Sequence, residues 1–123
     1  MAVALLLQGD ALIAAIQSDL TDAQVLELRD ELTDRVGRHR LRRIIIDVSA
    51  LDVIDSFVAR ALRGMAITAR LRGAETMVVG IQPDVAIAMA HFNLNLEPLQ
   101  TATDLDEAIA LLGRFPEEDG GDG

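Results

Sequence analysis

Four side chains within ten residues, Asp47, Asp52, Asp55 and Ser56, are where this sequence concentrates groups able to do chemistry. Three carboxylates so spaced would suit a magnesium ion and a phosphorylated aspartate, but that chemistry wants a lysine or threonine on later strands to complete it. The chain contains no lysine. Hydrolysis by a Ser56 nucleophile fails similarly, because a serine needs a base placed to activate it. The two histidines, His39 and His91, fall in a basic connector and near the end of a helix, with no carboxylate or cysteine at ligand spacing, so neither is expected to activate Ser56 or to hold a metal. No catalytic residue, metal or cofactor is expected, and no G-x-S-x-G elbow, P-loop or G-x-G-x-x-G occurs. Ser56 remains as a group that receives something. A phosphate on it would sit at the positive end of a helix dipole, with Arg60 one turn on. The bland alternative is that Ser56 shares N-terminal capping with Asp55. Residue chemistry leaves these two readings open.

The elements that must position this cluster follow from period. Ile44-Ile45-Ile46 is a β-branched run that reads as a buried strand, and the small and acidic residues after it form its exit loop. From Asp55 onward Val58, Ala61, Leu62, Met65 and Ala69 recur at three- and four-residue steps, which predicts an amphipathic helix packed onto that strand. Ser56, Arg60, Arg63, Ile67 and Arg70 then fall on the outward side. Ser56 is therefore expected to be reachable, beyond the carboxyl end of a strand, where ligands and chemistry gather in open α/β sheets. No acidic residue lies between Ser56 and Ala74, so this helix is the one basic element of an acidic chain, and Ile67, aliphatic among arginines, is a candidate subunit contact with Arg63 and Arg70.

The rest of the chain reads as its frame. Val3 to Gln8 and Ala11 to Gln17, separated by Gly9-Asp10, predict an opening β-hairpin. Thr21 and Gln24 form a capping-box pattern, with Val25, Leu28, Leu32 and Val36 on one face and Gly37 as the expected stop. Asp22, Glu27, Asp30, Glu31 and Asp34 cover the rest of that helix as a solvated face, or as an acidic docking surface. Arg38 to Arg43 is a short basic connector. Glu75 to Ile81 predicts another buried strand, Pro83 opens a short helix toward Asn93, and Leu96 to Gln100 is expected to be a small edge strand. Thr103 would cap a last helix carrying Leu105, Ala108, Ile109 and Leu112, and the Gly-rich acidic stretch 116–123 is expected to be disordered. The order ββαβαβαβα implies one α/β domain over 1–115: a mixed sheet of about five strands covered by about four helices.

Composition narrows the partners. Of a net charge of −9, Glu117, Glu118, Asp119 and Asp122 contribute −4, leaving −5 on the folded part, which opposes nucleic acid and anionic membrane. With no Trp or Tyr and three Phe, stacking platforms for single strands are missing too. There is no cysteine, and the start Met1 to Leu7 lacks a basic region before its apolar run, so a soluble, cytoplasmic protein is expected.

The run Asp47-Val48-Ser49-Ala50-Leu51-Asp52-Val53-Ile54-Asp55-Ser56 resembles the signature of STAS domains, the fold of bacterial anti-sigma factor antagonists. Asp55-Ser56-Phe57-Val58-Ala59-Arg60, together with Gly80 to Ala86, is most similar to the stressosome scaffold (RsbS-type) subfamily. The single-antagonist branch usually has a small residue and then glycine after the serine, where this chain has Phe57 and Val58. The resemblance implies a STAS fold and a non-enzymatic scaffold that controls a stress-response sigma-factor pathway. It implies self-association, association with STAS-domain co-antagonists, and capture of a serine kinase that phosphorylates the position of Ser56 and leaves, with a PP2C-type phosphatase to reset it. Asp52, Asp55, Phe57 and Arg60 would surround that phosphosite. With no sensory domain among these residues, the scaffold and not the sensor is expected. A different class of reading is a STAS-like module that binds a nucleotide or another small anion at the Asp55-Ser56 helix N-terminus.

Overall fold

A computed structural model describes residues 2–102. Two strands open the chain, β1 (Val3–Gln8) and β2 (Ala11–Ile16), followed by α1 (Asp22–Arg38), β3 (Arg43–Asp47), α2 (Ser56–Leu71), β4 (Glu75–Val79), α3 (Pro83–His91) and β5 (Gln100–Ala102). The sheet order is β1-β2-β3-β4-β5, with β1 antiparallel to β2 and every later pair parallel. This is the mixed five-stranded sheet the sequence predicts. Because the parallel strands step one way across the sheet and such crossovers are right-handed, α1, α2 and α3 all land on one face. The packing agrees. Leu12, Ala14, Ile44, Ile46 and Val78 share one buried cluster with Leu28, Leu32, Leu62, Met65, Val85 and Met89 from the helices, while Ile45, Met77 and Val79 form a second cluster on the other face.

Local chemistry explains most boundaries. Gly9 has φ 62° in the hairpin turn, a conformation glycine takes without strain. Thr21 closes its capping box, with the Gln24 N–H donating to Thr21 Oγ1 at 3.2 Å and the Thr21 N–H donating to Gln24 Oε1 at 2.9 Å. Several expectations need correction. Helix α1 runs through Gly37 to Arg38, and His39 ends it in an extended conformation. Gly37 therefore lies inside the helix and does not terminate it; an ideal Cβ there would meet only the flexible Arg72 guanidinium, at 3.1 Å from Nη1. In α2 the fully buried small residues are Ala59, Ala66 and Ala69, whereas Val58 and Ala61 are half-buried.

Strand β4 stops at Val79: the Gly80 N–H still donates to the Ala102 carbonyl at 3.2 Å, but φ 81° turns the chain away there. Leu96 to Leu99 is a turn that buries both leucines, and the edge strand begins only at Gln100. Pro98 has no N–H to offer a ladder, which moves the pairing beyond it. The basic connector is also less solvated than expected: Leu41 is buried, and Arg43 is ion-paired with Asp10 at 2.8 Å. The fourth helix expected from Thr103 and the acidic tail lie outside the described residues.

Gly80 joins fold to site. A Cβ there would come within 2.9 Å of the Ser49 Cβ and 3.2 Å of Asp47 Oδ1, on top of the unfavourable φ. Gly80→Ala is therefore expected to cost about 1–3 kcal/mol, read as a lowered urea midpoint with an unchanged slope.

Candidate functional site

The loop from β3 to α2 lies beside the loop from β4 to α3, at the carboxyl ends of two adjacent parallel strands. It is held from below and from the side. Val48, Leu51 and Ile54 are buried at 1%, 3% and 5% exposure, so every few residues a side chain anchors the loop in the core. The Val48 N–H donates to the Val79 carbonyl at 3.0 Å, the Leu51 N–H to the Val48 carbonyl at 2.9 Å, and Gln82 Nε2 to the Ser49 carbonyl at 2.9 Å. Asp47 Oδ1 accepts the Ser49 N–H at 2.9 Å, and Asp19 Oδ1 accepts the Asp52 N–H at 3.0 Å. Asp47 is thus a turn former, apart from Asp52 and Asp55 in role. Among the described residues no group of three or more His, Asp or Glu side chains is placed to hold a metal ion.

Asp55 is the N-cap of α2, in extended conformation, with its Oδ1 accepting the Val58 N–H at 2.9 Å. Ser56 is the first residue of the helix and is exposed; among the described residues nothing hydrogen-bonds its hydroxyl. The capping alternative left open by residue chemistry is resolved: Asp55 caps, and the serine is free of that duty. Arg60 is exposed one turn further along, Arg63 is exposed but donates from Nε to the Glu97 carbonyl at 3.0 Å, and Ile67 and Arg70 are exposed beyond it. Phe57 is half-buried beside the serine. The structure therefore brings together Asp52, Asp55, Ser56 and Arg60 at one end of α2, and strings Arg63, Ile67 and Arg70 along the same helix.

Sequence reasoning missed the wall opposite the serine. Asp52 to Ser56 form one side of a groove of about 460 Å³ whose other side is Val85, Ala88, Phe92 and Leu94. Phe92, the residue that caps α3, is 74% exposed, Ile87 within that helix 65%, and Val53 60%. The signal was available: three large apolar residues in a short helix exceed what its inward face can bury. Which of them face outward depends on how α3 lies on the sheet. A second cleft of about 220 Å³ opens on the far side of Asp55, between α1 and α2, lined by Leu20, Leu28, Leu51, Val58 and Leu62. No helix among the described residues is long and apolar enough to cross a membrane.

With the geometry in hand, comparison with known proteins gives the class. The STAS domain family model matches residues 2–108. This chain belongs to the STAS domain family and, within it, to the stressosome branch of RsbS type. It is similar to RsbS of Moorella thermoacetica, at 31% identity and a TM-score of 0.77 over 92% of this chain and 96% of that one. A chain from the structure described as the stressosome, a signal integration and transduction hub, matches with a TM-score of 0.70 at 28% identity, over 91% of this chain and 100% of that one. Among curated proteins, the RsbT co-antagonist protein RsbRA of Bacillus subtilis is 27% identical over 82 residues, 67% of this chain. The match spans only 30% of that protein's length.

Replacing the cap tests how the serine is presented. Asp55→Ala is expected to cost about 1 kcal/mol, measured by urea denaturation, with amide exchange of Ser56 to Val58 accelerated first.

Proposed function

We propose that this chain is a non-enzymatic scaffold of the anti-sigma factor antagonist kind, which holds a serine kinase until phosphorylation of Ser56 releases it. The observation that carries the reading is Ser56 itself: exposed, without a hydrogen-bonding partner among the described residues, and first in a helix whose cap is supplied by another residue. A kinase can reach such a hydroxyl without unfolding anything. A phosphate adds about −1.5 to −2 charge at pH 7, and at a helix N-terminus the fold tolerates it. The same charge stands beside Asp52 and Asp55, so an acidic or apolar partner surface seated there is repelled. Arg60 limits the effect on the domain itself.

The groove between Ser56 and Phe92 is the surface the kinase would cover, its apolar wall supplying area and the serine its target. STAS-domain co-antagonists are the expected co-scaffolds, given the relatives' names, with a PP2C-type phosphatase to reset the switch. Self-association and a cytoplasmic location complete the reading. Direct sensing of a nucleotide or anion at the α2 N-terminus is less well supported, since Asp55 occupies the Val58 N–H and places a carboxylate where an anion would lie.

The test is incubation of the chain with a purified switch kinase and ATP, followed by mapping of the modified residue. Ser56→Ala is expected to abolish phosphorylation and retain kinase binding, and Ser56→Asp to weaken binding. Equal kinase affinity for wild type and Ser56→Asp, or saturable nucleotide binding without any kinase, would contradict the switch. Phe92→Ser is expected to weaken kinase binding about ten-fold while leaving the melting temperature unchanged, because the ring is already 74% exposed.

A further inference from the structure

The outer surface of the helical layer is striped by charge. Opposite its buried face, α1 presents Ala23, Glu27, Asp30 and Asp34, all exposed. Opposite its own buried face, α2 presents Arg60, Gly64, Ile67 and Leu71 at the same spacing, flanked by Arg63 and Arg70. One stripe is acidic, the other basic and apolar. Ile67 is 51% exposed and Leu71 84%, two large aliphatic side chains that nothing among the described residues covers.

Gly64 adds to this. A glycine inside a helix costs stability relative to alanine, and an ideal Cβ on Gly64 would meet nothing within 4 Å. No neighbour among the described residues calls for its small size, whereas a surface arriving from outside would.

We infer that this face is where two copies of the chain meet, α1 of each lying over α2 of the other about a two-fold axis that runs along the seam between the helices. Charge selects this arrangement. Packing α2 against its own copy sets arginines against arginines, and α1 against α1 sets carboxylates against carboxylates. A two-fold along the seam exchanges the stripes and preserves height along the helices, and an isologous contact of this kind closes as a dimer. Height is fixed by packing within the chain: Leu28 shares a cleft with Leu62, Leu32 and Val36 another with Met65 and Ala69, and Gly37 meets Arg72. Glu27 thus stands about level with Arg60, Asp30 with Arg63, and Asp34 with Ile67, toward which the Arg70 side chain leans. The acidic groups are bound only loosely at home. Asp30 pairs with Arg29 and Asp34 with Arg38 in exposed ion pairs that exchange at little cost, and among the described residues Glu27 has no ion pair. The resulting interface sets the two acidic stripes against the two basic ones along most of its length, with Ile67 and Leu71 covered at its end nearest the α2 C-terminus.

This rests on the self-association included in the proposed function and on no part of the phosphate switch. The test is sedimentation velocity of the full chain over a concentration series. Wild type is expected to dimerise; Arg70→Glu and Asp34→Arg are each expected to weaken the dimer about ten-fold, and the double charge swap to return it to within about three-fold of wild type. Gly64→Leu is expected to raise the melting temperature, by removing a helix glycine, while abolishing the dimer. The inference is overturned by a wild-type chain that stays monomeric to about 1 mM, by a double swap as weak as the single variants, or by a Gly64→Leu chain that dimerises normally. Phosphorylation of wild-type Ser56 is followed in parallel, so a working switch on a monomeric chain strikes this inference alone.

Discussion

The site depends on one constraint: the eight residues between β3 and α2 are tied down from beneath. Val48, Leu51 and Ile54 point into the core, and the polar atoms left over are satisfied by Asp19, Val79 and Gln82. With the loop so tethered, Asp55 arrives in the extended conformation a helix cap needs, and its carboxylate takes the Val58 N–H. The next residue has no structural work left to do. An exposed hydroxyl on a rigid platform is a different object from one on a mobile loop, because a partner that recognises it loses little conformational entropy in doing so.

That constraint draws on both faces of the loop pair. Gly80 lets the β3–α2 loop come within van der Waals distance of the end of β4, and Gln82 then holds the Ser49 carbonyl. The same contact sets the start of α3, and so where Phe92 stands across the groove from Ser56. Serine, acidic rim and apolar wall are therefore one unit, although they come from two crossovers.

The helical layer carries a second kind of information. Since α1 and α2 cover the same face of the sheet side by side, their outward stripes are fixed relative to one another as firmly as their buried ones. Acid beside base on a rigid layer is a pattern that its own two-fold image complements. Ser56, the proposed phosphorylation site, stands at one end of α2 and the exposed aliphatic pair at the other, so the proposed switch and the proposed contact through Ile67 and Leu71 would use separate stretches of one helix.

Much of this was legible without coordinates. The β-branched run at Ile44 to Ile46, the shift of period after Asp55 and the capping pair Thr21 and Gln24 are local signals, and each depends on residues within a turn or two of one another. They led to the order of elements along the chain, the helix start and the outward position of Ser56. Where the wider structure competes with local preference, sequence misled: Gly37 reads as a helix stop, yet α1 runs on through it to Arg38. The run from Leu96 to Gln100 reads as a small edge strand, yet burial of Leu96 and Leu99 makes a corner of it and the strand begins only at Gln100. Sequence alone determined which groups this chain has for chemistry and which it lacks, because residue type and short-range period need no partner to be read. The groove against Phe92 and the alignment of acidic with basic stripes were decided only by tertiary structure, because both are relations between elements whose spacing is set by packing across the sheet.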